Sequence, residues 1–192
     1  MNYIFQRVLA AFLLLLAAPL LLVISLGCLV SGGGVWFRDQ RIGKDRKKFV
    51  LYKFRTMKDA GGKFMTPEQE RSWHTFGKLR SDPRVTRFGY VLRRFSLDEL
   101  PQLWNVVRGD MALVGPRPII DEEDLIYGKY GKIIHSVKPG ITGLWQVSGR
   151  NLTTYRRRIA INRCYVRHRS TGLDLWILWR TVWAVIGGRG AF

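Results

Sequence analysis

From Val8 to Phe37 the chain carries no charged side chain, and the strongly apolar part, Val8 to Val30, runs for 23 residues. As one straight helix such a run crosses about 30 Å of hydrocarbon. Three arrangements compete for it: a cleaved signal peptide, a spanning anchor, or a helix that dips into a membrane and returns. A signal peptide fits poorly, because Arg7 is the only basic residue before the run and the run exceeds the usual apolar core of about 7–15 residues. Pro19 sits in the middle of the run. Proline removes a backbone donor and clashes with the preceding turn, so it kinks a helix. Membrane helices tolerate such kinks, so Pro19 leaves the anchor and the re-entrant helix both open. Arg38, Arg41, Lys44, Arg46, Lys47 and Lys48 follow the run. They place the downstream chain in the cytoplasm, and a hairpin would keep Arg7 on that side too.

The chain as a whole is strongly basic. There are 32 Lys and Arg against 14 Asp and Glu, a net charge of +18, which favours anionic partners: nucleic acid, anionic lipid or phosphorylated substrates. With 192 residues, 47% of them hydrophobic, the chain can bury one core and is not disordered. Cys28 and Cys164 are far apart and form no metal or disulfide pattern, which suits a reducing compartment. His74, His135 and His168 lack ligand spacing.

Val35 to Phe54 mixes aromatic, β-branched and basic residues, as short strands or interfacial segments do. Asp59 to Arg80 reads as a loop with one short helix, and Ser81-Asp82-Pro83 as a turn. An apolar-periodic stretch after Ser96 runs to Val107 and stops at Gly109-Asp110. Gly115-Pro116-Arg117-Pro118 must be a stiff loop. Asp121 to Lys132 reads as a helix with an acidic, solvated first turn, and Pro139 to Arg150 as a second loop. Thr153 to His168 and Leu173 to Ile186 read as helices, basic and aromatic enough to lie in a membrane interface.

Acidic residues are scarce, so Asp98-Glu99 stands out. Ser96 and Glu99 have capping-box spacing, while Pro101 favours Asp98 itself as the cap. Either frame puts both carboxylates at a helix N-terminus, where anions are favoured and a carboxylate stays ionised. Arg84, Arg87, Arg93, Arg94 and Arg108 surround the pair in sequence, and Arg117 follows in its proline-bracketed loop, able to fork onto phosphate. Phosphoryl transfer needs a nucleophile, a divalent cation and fixed positive charge.

The segment from Phe95 to Met111, with Ser96-Leu97-Asp98-Glu99-Leu100-Pro101-Gln102 near its start, resembles the monotopic bacterial phosphoglycosyl transferases, or bacterial sugar transferases. Tyr52-Lys53-Phe54-Arg55-Thr56-Met57, Val114-Gly115-Pro116-Arg117-Pro118 and the Pro139–Arg150 loop look like three further motifs of that family, in the right order. The resemblance implies an α/β, mainly α, fold: a re-entrant, proline-broken helix and its exit over residues 1–34, then a small catalytic domain over 35–192 with interfacial helices. It implies transfer of a hexose-1-phosphate from a UDP-sugar to polyprenyl (undecaprenyl) phosphate, with release of UMP, at the cytoplasmic face of the bacterial inner membrane. Asp98 is then the nucleophile that forms a covalent phosphosugar–aspartate, and Glu99 binds Mg²⁺. Arg93, Arg117, Asp174, Lys53 and Arg55 are the implied substrate- and phosphate-binding residues. The implied partners are the UDP-sugar, polyprenyl phosphate and membrane lipids, with no nucleic acid; a homodimer stays open.

The chain departs from the family pattern at its start, where Gln6-Arg7-Val8-Leu9-Ala10 lacks the usual aspartate, and at Gly33-Gly34, Asp39-Gln40-Arg41 and Asn162. None of these touches Asp98-Glu99. The chain reads as the minimal catalytic unit, and its Trp145 loop and Arg189–Phe192 ending look like members that move galactose- or glucose-1-phosphate. Two other functions compete: a membrane-anchored binder of anionic lipid or nucleic acid, and a structural subunit with a dead site. The first leaves the surroundings of Asp98-Glu99 unexplained; intact Asp98, Glu99 and Arg117 argue against the second.

Overall fold

A computed structural model describes residues 1–32, 34–58, 82–149 and 154–187. The expected loop at Asp59–Arg80 and the Arg189–Phe192 ending lie outside the described residues.

The apolar run breaks at its proline. Helix α1 (Tyr3–Leu16) and helix α2 (Ala18–Val30) meet at Ala17 with a bend of 63°, and Pro19 lies in the first turn of α2. A proline there removes a donor that a helix start leaves unpaired in any case, so the break costs little backbone bonding. No single described helix is long and apolar enough to cross a membrane; the bent pair meets that test only together. The pair is also part of the fold. Gln6, Ala10, Ile24 and Cys28 are buried, while Phe12, Leu16, Leu22 and Leu26 stand exposed on the outside. Gln6 Oε1 accepts the backbone N–H of Leu113 at 2.8 Å, tying α1 to the middle of the chain.

The expected strands form. β1 (Trp36–Ile42) and β2 (Lys48–Phe54) pair antiparallel from Trp36 opposite Phe54 to Ile42 opposite Lys48. Helix α3 (Arg87–Arg94) packs on α2 through Leu92, Ile24, Cys28 and Phe54. Helix α4 (Gln102–Arg108) ends at Gly109, whose φ of 91° is the left-handed C-cap that glycine accepts without strain. Strand β3 (Ala112–Val114) lies parallel to β4 (Gly140–Thr142), so the second expected loop contains a strand and the short helix α7 (Leu144–Val147). Between these strands the single helix expected over Asp121–Lys132 breaks at Gly128 into α5 (Asp121–Tyr127), a 3₁₀ turn and α6 (Gly131–Ile134). α8 (Tyr155–His168) and α9 (Thr171–Ile186) complete a small, mainly helical globular chain with two two-stranded sheets among the described residues.

The first turn of α5 is only partly a solvated face: Asp121 and Glu122 are exposed, while Glu123 and Asp124 are partly buried. Asp121 pairs with Lys48 at 2.5 Å, Asp124 with Arg46 at 3.2 Å and His135 at 2.8 Å, and Glu123 with Arg158 at 3.0 Å. Arg46 comes from the β1–β2 turn, Lys48 from the start of β2, His135 from the end of α6 and Arg158 from α8.

Candidate active site

Asp98 and Glu99 sit in a 3₁₀ turn, Leu97–Glu99, and not inside a capped α-helix. Ser96 adopts φ 54°, ψ 24° and its side chain caps nothing. Pro101 explains the difference. It has no N–H to close an α-turn, so the bonds are Glu99 N–H to Ser96 O and Leu100 N–H to Leu97 O, and α4 begins after it. A non-glycine residue at positive φ costs on the order of 1 kcal/mol, and such strain clusters at functional sites.

The turn opens on a cleft of about 1140 Å³. Six of the seven site residues expected from the sequence line it: Lys53, Arg55, Arg93, Asp98, Glu99 and Arg117. β2 carries Lys53, and the residue before it is pinned from the other side. Asn105 of α4 accepts the Tyr52 N–H at 3.1 Å and donates to Val50 O at 2.7 Å. Lys53 Nζ lies 2.6 Å from Glu99 Oε1, and Arg117 Nη1 lies 3.5 Å from the same oxygen. Arg93 Nε donates to Thr56 Oγ1 at 2.9 Å.

Asp174, the seventh, is elsewhere. It is fully buried, takes the Met1 ammonium at 2.6 Å and lies 2.7 Å from the Tyr165 hydroxyl. The cleft also recruits residues that sequence spacing did not single out. Arg41, paired with Asp39, reaches Pro118 O at 3.4 Å and so holds the Arg117 loop. Thr142, Trp145, Gln146 and Thr181 add to the wall, as do Leu13, Leu16, Ala17 and Leu20 at the bend of the N-terminal helices.

The electrostatics set Asp98 apart. It is 9% exposed, and burial pushes its pKa up to about 6. Lys53 opposes that rise, the Glu99 charge adds to it, and Arg93 and Arg117 oppose it. A carboxylate poised near neutrality among fixed cations is the kind of group functional sites hold.

α3 approaches the site through Gly89, where a Cβ would stand 2.2 Å from the backbone oxygen of Thr56. Gly89→Ala must therefore lift α3 off the segment just after β2 that carries Arg55 and Thr56. We expect a stability loss of about 1–3 kcal/mol and a matching fall in turnover, read from unfolding midpoints and initial rates.

The family description for bacterial sugar transferases matches residues 1–188. This chain belongs to the bacterial sugar transferase family. It is similar to the exopolysaccharide production protein ExoY of Rhizobium meliloti (strain 1021), 41% identical over 195 residues that cover 98% of this chain and 86% of that protein. It is also similar to the undecaprenyl-phosphate galactose phosphotransferase of Salmonella typhimurium, 38% identical over 98% of this chain and 41% of the relative. The UDP-glucose:undecaprenyl-phosphate glucose-1-phosphate transferase of Xanthomonas campestris pv. campestris is 38% identical over 97% of this chain and 39% of the relative. The chain is a transferase, as its family requires, and it spans about two fifths of the length of the last two relatives.

Proposed function

We propose that this bacterial sugar transferase moves a hexose-1-phosphate from a UDP-sugar to undecaprenyl phosphate through a covalent intermediate on Asp98. The observation that carries the reading is the mixed character of one cleft. Its polar part holds Asp98 and Glu99 among Lys53, Arg93 and Arg117; its apolar part is Leu13, Leu16 and Leu20 at the helix bend. A phosphate with a polyprenyl tail is chemically matched to both parts, with the bent pair dipping into the membrane and the site on its cytoplasmic side.

In the first step an Asp98 oxygen attacks the β-phosphorus of the donor. The bond from that phosphorus to the bridging oxygen breaks, and UMP leaves with the electron pair. In the second step an oxygen of the polyprenyl phosphate attacks the same phosphorus, and Asp98 departs as carboxylate. Arg117 and Arg93 place fixed positive charge beside the equatorial oxygens, where charge builds in both transition states.

Carboxylate oxygens are the hard donors that Mg²⁺ takes. No group of three or more His, Cys, Asp or Glu side chains among the described residues could cage a metal, and Mg²⁺ is often held by one or two carboxylates together with substrate phosphates. Glu99 fits as such a shared ligand. Bound there, Mg²⁺ neutralises diphosphate charge.

UMP release from a panel of UDP-sugars, followed in detergent with Mg²⁺ and polyprenyl phosphate, tests the function. Multiple-turnover release should require both the lipid and Asp98. If no UDP-sugar yields UMP with folded protein, the reading is wrong.

The raised pKa of Asp98 predicts the pH dependence. A nucleophile must be ionised, so the donor step should be flat above about pH 6 and fall about tenfold per pH unit below it. A profile still flat at pH 4.5 would contradict the assignment of Asp98.

A further inference from the structure

Among the described residues, Lys53 and Arg117 reach Glu99, and they are mounted differently. Arg117 stands between Pro116 and Pro118 in a loop whose backbone is pinned. Gly115 N–H donates to Thr142 O, and Gly140 N–H to Pro116 O, both at 2.9 Å, while Pro118 O takes Arg41. Its guanidinium is a rigid fork on a rigid loop. Lys53 projects from a strand that is equally well held, opposite Phe37 and beside the Asn105 clamp on Tyr52. Its ammonium, however, is a point charge on a flexible four-carbon stem with three rotatable donors. The lysine is also the nearer of the two, at 2.6 Å against 3.5 Å, and it lines the open cleft.

We propose that Lys53 is an exchangeable cation that occupies Glu99 until a donor diphosphate arrives, then transfers to the diphosphate and leaves Glu99 to a divalent cation. The proposal rests on reading Glu99 as a metal ligand shared with the donor's phosphates. Its consequence is an order of binding. A carboxylate with an ammonium at 2.6 Å is already neutralised. To free it without a donor, Lys53 must turn toward Asp98, the other carboxylate of the turn, whose charge Arg93 and Arg117 already balance and whose neighbourhood those like charges make unfavourable for an ammonium. A diphosphate supplies the anion that receives the lysine. The divalent cation therefore enters with the nucleotide-sugar and not ahead of it, and by linkage each tightens the other's binding. The nearer, compact charge of the lysine suits this move better than the planar fork of Arg117.

The probe is Mn²⁺, titrated by electron paramagnetic resonance into the full chain in detergent, with and without UDP. Wild type should bind Mn²⁺ weakly alone and more tightly with UDP. Lys53→Met and Lys53→Gln should each tighten Mn²⁺ binding in the absence of UDP by about tenfold, the worth of one charged hydrogen bond. Arg117→Met removes a charge but leaves the lysine on Glu99, so it should gain no more than about threefold. Wild-type binding that ignores UDP, unchanged Lys53 variants, or an equal gain in Arg117→Met would overturn the exchange. Glu99→Gln separates this failure from that of the underlying reading. If it binds Mn²⁺ with UDP as well as wild type does, Glu99 is not a ligand and both fall. If it loses the metal while the Lys53 variants behave as wild type, only the exchange falls.

Discussion

Asp98→Asn should abolish turnover and at the same time make the folded chain more stable at neutral pH. Loss of a nucleophile costs about 10⁴-fold or more in rate, since asparagine cannot form the acyl phosphate. The stability gain follows from the same burial that prepares the residue. The Asp98 pKa rises from 3.8 to about 6, so the folded state binds this proton more tightly than the unfolded chain does. Stability from this group is therefore full below about pH 4 and is lost as pH rises toward 6. Above that pH the ionised carboxylate costs about 2–3 kcal/mol. The neutral amide escapes that cost. Thermal unfolding should show the variant melting several degrees above wild type at pH 7 and level with it near pH 4. A variant that melts below wild type at pH 7 would mean that Lys53, Arg93 and Arg117 outweigh burial.

Arg117 carries the second large effect. Arg117→Met should lower kcat/KM for the donor by about 10²–10³-fold, the usual worth of a fixed charge at a transition-state oxyanion. Arg117→Lys should recover little of this, because a point charge cannot reproduce a fork held between two prolines. There is a further signature. Arg117 is one of the charges that hold the Asp98 pKa down against burial, so its removal should move the acid limb of the pH profile upward from about 6. A loss of activity with an unmoved limb would place Arg117 away from Asp98.

The parts of this site that could be read in the sequence are those whose chemistry is local. Asp98-Glu99 beside Pro101 and the proline-bracketed Arg117 declare themselves within a few residues, while Lys53 and Arg55 are carried by the family resemblance; Lys53, Arg55, Asp98, Glu99 and Arg117 all line one cleft. Pro19 likewise marked the helix break, because proline acts on its own turn. What could not be read depends on pairing across the chain. Asp174 looks like any acidic residue in a first helical turn until the Met1 ammonium and Tyr165 are folded onto it. The acidic run at Asp121–Asp124 looks wholly solvated until folding brings Arg46 and His135 to Asp124 and Arg158 to Glu123. Asn105 offered a faint signal, a polar residue within an apolar helix, but its partners Val50 and Tyr52 are more than fifty residues away. The three-residue strands β3 and β4 are too short for any periodicity to show.

The proposed transfer depends on Asp98 forming a bond to phosphorus. The measurement that bears on it most directly uses purified protein, Mg²⁺ and a turnover-competent UDP-sugar, with polyprenyl phosphate left out, followed by rapid quench and intact-protein mass spectrometry. A nucleophilic Asp98 gives one phosphohexose adduct per chain, one equivalent of UMP, absence of the adduct in Asp98→Asn, and its discharge when the lipid is added. Full turnover with lipid, but no adduct and no UMP without it, would mean direct transfer between the two substrates and would contradict the covalent role of Asp98.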